Sequence, residues 1–103
     1  MFKLNPNPTF TAKVPLSVPG SDKLVNVDIE FKHLSRKAIK TYFEGLEGKT
    51  DSEALGEIIV GWKGIDETFS AEALECLLDN YPASGGELFA AFRAELMEAR
   101  RKN

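Results

Sequence analysis

Apolar residues recur at every second position in two stretches near the start of the chain. Phe10, Ala12, Val14 and Leu16 fall on one side of the first stretch, with Thr9, Thr11, Lys13 and Ser17 on the other. In the second, Val25, Val27, Ile29 and Phe31 alternate with Asn26, Asp28, Glu30 and Lys32. Between them stands Pro19-Gly20-Ser21-Asp22, whose residues supply a fixed φ, a positive φ and local side-chain hydrogen bonds. The pattern predicts an antiparallel hairpin over residues 9–32 with one face in a core and one in water. Pro15 has no N–H to give a ladder, so the first arm belongs at a sheet edge. Residues 1–8, with Pro6 and Pro8, read as an extended arm.

After residue 33 the period changes from two to that of a helix. Ser35 is placed to cap a first helix with Ile39, Tyr42, Phe43 and Leu46 on one side. Leu34 stands where it can staple onto Ile39, and Gly45 and Gly48 mark the end. Thr50 and Glu53 have capping-box spacing ahead of a second helix whose stripe is Leu55, Ile58, Ile59 and Trp62, broken by Gly61 and Gly64. Ser70 opens a third, with Phe69 and Leu74 at staple spacing and a buried stripe of Leu74, Leu77, Leu78 and Tyr81, ended by Asn80-Tyr81-Pro82. Ser84 and Glu87 form another capping box for a fourth helix, with Leu88, Phe92, Leu96 and Ala99 facing inward.

A hairpin alone is marginal in water, so its apolar face requires cover. The expected fold class is α+β: an N-terminal antiparallel β-hairpin packed against about four short α-helices. At 103 residues the chain is expected to form a single domain over 1–103, with the helical region spanning 35–101.

Composition narrows the chemistry. No apolar run approaches the ~20 residues that span a bilayer, and the first residues lack the apolar core of a secretion signal. A soluble intracellular protein without a membrane partner is expected. Net charge is −3, the wrong sign for affinity built on phosphate neutralisation. The imbalance is uneven: Asp66, Glu67, Glu72, Glu75, Asp79, Glu87, Glu95 and Glu98 face a single cation, Arg93, between residues 65 and 98. The sign then reverses with Arg100, Arg101 and Lys102. His33 is the one histidine and Cys76 the one cysteine, so neither an internal disulfide nor a converging metal-ligand set is expected. Gly61-Trp62-Lys63-Gly64 lacks the spacing of a phosphate-binding loop and reads as a turn. No catalytic constellation stands out, and no cofactor is implied.

Surfaces are the remaining candidates. On the fourth helix Ala90, Ala94 and Met97 fall about opposite the Leu88, Phe92 and Leu96 stripe, a smooth surface with a flexible thioether suited to an adaptable contact. The same alanines also serve helix propensity. Cys76 lies on the face of the third helix away from Leu74, Leu77 and Leu78, so another element or a partner covers it. Trp62 is either a core residue or an exposed anchor. These features suit a binding or assembly factor better than an enzyme. A helical nucleic-acid-binding module, with the third and fourth helices joined by Pro82-Ala83-Ser84-Gly85-Gly86 as a helix-turn-helix, is the alternative, beside a generic protein-interaction domain. Glu87, Glu95 and Glu98 are poor residues for a phosphate-facing helix.

The chain also resembles a known family. Val14-Pro15-Leu16 and Pro19-Gly20 are followed by Phe31-Lys32-His33-Leu34-Ser35-Arg36, then by Val60-Gly61-Trp62-Lys63-Gly64-Ile65 and Leu77-Leu78-Asp79-Asn80-Tyr81-Pro82. Phe89-Ala90-Ala91-Phe92 and Ala99-Arg100-Arg101-Lys102-Asn103 complete the series. In order and spacing together these segments resemble the tail assembly chaperones of long-tailed bacteriophages and their prophages. The resemblance implies a protein that coats the tape measure protein and keeps it soluble until tail tube subunits polymerise around it, and that is absent from the mature virion. It implies action in the cytoplasm of an infected or lysogenic bacterial host. It further implies self-association, with the hairpin edge as one route, and a longer product of programmed frameshifting that recruits tail tube protein. On this reading Trp62, Ala90, Ala94 and Met97 are the candidate partner-binding residues.

Overall fold

A computed structural model describes residues 1–98. The element order is β1 (Thr9–Ser17), β2 (Leu24–Lys32), α1 (Arg36–Glu44), α2 (Asp51–Gly56), β3 (Ile59–Lys63), α3 (Ala71–Asn80) and α4 (Ser84–Met97). Three strands form one antiparallel sheet in the order β1-β2-β3, and the fold is α+β, as the alternation of the N-terminal third predicts.

The hairpin follows its sequence closely. Phe10 pairs with Phe31, Ala12 with Ile29 and Val14 with Val27. The turn is closed by the Ser21 N–H donating to the Val18 carbonyl at 3.0 Å, with Gly20 at φ +84°, the backbone that glycine accepts without a Cβ penalty. Ala12, Val14, Val27, Ile29 and Phe31 are buried, while Thr11, Lys13 and Pro15 on the other face are exposed. Val25, expected on the core face, is 51% exposed although its β1 partner Leu16 is buried; β3 pairs with β2 only from Asp28 to Phe31, so Val25 lies beyond that neighbouring strand.

α4 packs against β1, and α2 against α3, α4 and β3. The core joins one sheet face to Leu55, Ile58, Leu74, Leu88 and Phe92. Its centre is aromatic. Phe92 stands 5.3 Å from Phe31, 6.3 Å from Phe10 and 6.2 Å from Tyr42 between ring centroids, so one α4 side chain ties both hairpin arms to α1.

Three of the helix starts are capped as their spacing predicts. Ser35 Oγ accepts from the Ala38 N–H at 3.1 Å, and Ser70 Oγ from the Ala73 N–H at 3.0 Å. Thr50 and Glu53 form the reciprocal box, with Thr50 Oγ1 accepting from the Glu53 N–H and Glu53 Oε1 from the Thr50 N–H. Those hydrogen bonds, first the one from the Thr50 backbone, hold the Glu53 carboxyl below its ordinary pKa.

Several further expectations fail. The second helix ends at Gly56, and Ile59, Gly61 and Trp62 form a third strand. Phe31 pairs with Ile59 and Glu30 with Gly61, so Val60 is an extra residue, a β-bulge. The bulge brings Ile59 and Trp62 to the same face although they are three residues apart, the spacing of a helix. The second failure is the Ser84–Glu87 box. α4 follows directly from a turn in which the Ser84 N–H donates to the Tyr81 carbonyl, so Ser84 lies inside the helix and makes no cap. Ser84 is fully buried. Ser84, Gly85 and Gly86 therefore belong to α4 rather than to a linker. Tyr81, expected in the α3 stripe, follows the last helical residue and is 37% exposed. Ala99, expected to face inward, and Arg100, Arg101 and Lys102 lie outside the described residues.

Candidate functional site

Glu87, freed from capping, joins the helix layer to the sheet. Both its carboxylate oxygens accept from the Ser17 N–H at 3.1 Å, and the Ser17 hydroxyl donates to Oε2. The His33 N–H donates to the Pro8 carbonyl, which puts even-numbered β1 residues in register for bonding to β2. The odd-numbered ones, Pro15 and Ser17 among them, therefore turn their nitrogens to the outer edge. Pro15 has no donor there and Glu87 occupies the donor of Ser17, so this end of the edge strand is blunted.

Beside that edge runs a shallow groove of about 420 Å³, in which Ala90, Ala91 and Ala94 of α4 face Lys13, Pro15 and Leu24. Ala90 is exposed and Ala94 half-buried. Leu24 and Met97 are 59% and 50% exposed, so hydrophobic surface lies at the groove and at the end of α4. The three small or flexible residues singled out in the sequence thus stand along one helix on its outward side. Trp62 does not join them. It lies on β3 opposite Ile29, half-buried against the core, 5.0 Å from the Phe69 ring in an edge-to-face contact. Its indole N–H donates to the Glu67 carbonyl at 2.7 Å. Trp62 lines a separate groove of about 430 Å³ with Ile65, Asp66, Glu67, Glu72 and Cys76. Cys76 is exposed, and the Asn80 amide donates to its sulfur at 3.3 Å.

A third groove, of about 640 Å³, lies under α1. Leu34, Ala38, Tyr42 and Ile58 line it beside Lys32 and Lys37. The Tyr42 hydroxyl donates to the Ala54 carbonyl at 2.7 Å. Burial, with the nearby Glu57 carboxylate, pushes its pKa from the usual 10.0 up to about 12. Lys49 pairs with Glu57 across the same groove. This surface carried a sequence signal that patterning for a core passes over: Arg36, Lys37 and Lys40 in one helix of an otherwise acidic chain.

His33 is half-buried at the end of β2. No group of His, Cys, Asp or Glu among the described residues is arranged to hold a metal ion, and no described helix is long and apolar enough to cross a membrane. The exposed surface is instead grooved, apolar in places and charged at its rims, an arrangement that suits contact with another polypeptide.

No curated protein and no solved structure matches the chain. A family model described as phage tail assembly chaperone matches residues 1–103, the whole length. The chain therefore belongs to the phage tail assembly chaperone family.

Proposed function

We propose that the chain holds the tape measure protein of a long-tailed phage, keeping it soluble and extended until tail tube subunits assemble around it. It acts in the cytoplasm of the infected or lysogenic host, through its surface rather than through chemistry, and leaves before the virion is complete. Several copies act together, and a longer frameshifted form recruits tail tube protein.

Membership of the family supports the reading, and the observation that favours one surface for it is the alanine-floored groove between α4 and the blunted edge of β1. A long helical client needs shallow apolar contacts repeated along its length rather than a deep pocket, and small side chains let a helix approach closely. Ala90, Ala94 and Met97 make those contacts in this proposal. Trp62, held against Phe69 and the core, contributes packing and one wall of a second groove.

The test is co-expression with the tape measure protein. Ala94→Glu, and Ala90→Glu at the more exposed neighbouring position, are expected to lower the soluble fraction of the client while leaving the chain itself folded. Unchanged client solubility with both substitutions removes this face from the proposal.

A further inference from the structure

Charge is segregated between two helices. α1 opens with Arg36 and Lys37 and continues with Lys40, all exposed, and has no acidic residue in its first turn. The exposed stripe of α3 carries Glu72, Glu75 and Asp79 around Cys76, with no basic residue in its last turn. Cations at a helix N-terminus and an aspartate near a C-terminus both oppose the helix dipole. None of these six charged side chains takes part in an ion pair among the described residues. Within one copy, only Glu72, in the first turn of α3, sits where the dipole favours its charge.

The basic helix also walls an open groove. α1 buries none of its residues; its Ala38 and Tyr42 face Leu34 and Ile58 across the groove, and the rim carries Lys32, Lys37 and the Lys49–Glu57 pair, a net positive charge. A groove with an apolar floor and a cationic rim fits a helix that presents carboxylates around a small apolar contact. The chain itself carries such a helix in α3, with Cys76 among its carboxylates.

We propose that the basic groove under α1 of one copy docks the acidic face of α3 on a second copy. The two surfaces belong to different parts of the same chain, so the contact is heterologous and repeats head to tail. Complementary charge selects the partner and sets the direction of stacking. The proposal deepens the self-association in the reading above. It needs no tape measure protein, so its test uses the chain alone, and its failure leaves the client contact of α4 standing.

Sedimentation velocity of the full chain at about 0.05 M and about 0.5 M salt separates the outcomes, because screening shortens from more than 10 Å to a few ångströms over that range. The expected result is an average mass that rises above the 11.4 kDa monomer with concentration at low salt and returns to it at high salt. Lys37→Glu with Lys40→Glu, and Glu75→Lys with Asp79→Lys, are each expected to stay monomeric, and all four substitutions in one chain to restore assembly. A wild type that stays monomeric, or whose association ignores salt, overturns the proposal. So does either paired variant that assembles as the wild type does, or a folded fourfold variant that stays apart. Should any paired variant fail to fold, oxidation of Lys37→Cys, at the groove rim, decides. Dimers linked between position 37 and the partner copy's Cys76 support the contact, whereas dimers linked only through Cys76 to Cys76 contradict it.

Discussion

Phe31 and Phe92 have no solvent exposure, while α1, whose Tyr42 faces the same aromatic cluster, buries none of its nine residues. The hairpin and α4 are joined by close ring contacts and by the Glu87 carboxylate on Ser17. α1 is held by its Ser35 cap, one tyrosine hydroxyl and half-buried Ala38, Ile39 and Phe43, with Arg93 5.7 Å above the Phe43 ring. The contrast teaches where this fold places its stability and where it leaves surface available. The buried sheet face and α4 form a base, whereas α1 exposes Arg36, Lys37 and Lys40, which have no ion-pair partner among the described residues.

Substitutions along this divide differ in size in a set order. Phe92→Ala should cost the most, about 3–5 kcal/mol, because it opens a cavity where both hairpin arms and α1 meet. Denaturant unfolding followed by circular dichroism reads this directly, and a loss near that of a surface substitution would deny Phe92 its central place. Glu87→Ala should cost about 1.5–3 kcal/mol by stripping charge-assisted acceptors from Ser17. Hydrogen exchange at the Ser17 amide should accelerate with it, and an unchanged rate would mean that the edge is protected some other way.

Tyr42 gives a smaller, pH-dependent effect. Its folded pKa of about 12 lies above the usual 10.0, so the fold favours the protonated phenol. That contribution is fully present below pH 10 and is lost as pH rises from 10 towards 12, since the unfolded chain gives up its proton first. Tyr42→Phe should flatten this alkaline decline and cost about 1 kcal/mol at neutral pH. Stability that declines equally in both proteins between pH 10 and 12 would contradict the assignment. Lys37→Glu with Lys40→Glu should change stability least, within about 0.5 kcal/mol, since neither side chain has an ion-pair partner among the described residues. A large loss of melting temperature would erase the contrast between base and surface.

Much of this fold can be read from residue order because its signals are local. The hairpin alternation sets both register and faces from Phe10 to Phe31, and Ser35, Thr50 and Ser70 cap within three residues of themselves. Reading fails where one spacing admits two causes. Ile59 and Trp62 share a face through a bulge at Val60, yet their separation is that of helical neighbours. Ser84 and Glu87 have capping spacing, but the glutamate's partner is Ser17, 70 residues away. The candidate site divides the same way. The outward side of α4 follows from helical period, whereas the separation of Trp62 from Ala90 depends on where β3 pairs. The basic groove under α1 was visible only as charge, because its floor comes from residues as far apart as Leu34 and Ile58.

The proposed role, holding a tape measure protein on the surface of this chain, is testable with the two purified proteins. The direct measurement is a titration of tape measure protein, diluted out of denaturant, with increasing amounts of the purified chain, recording the fraction left in solution after centrifugation. The expected result is that the client stays in the supernatant once several copies of the chain are present per client, and that both proteins then sediment together as one species. Client that pellets to the same extent with and without the chain would contradict it.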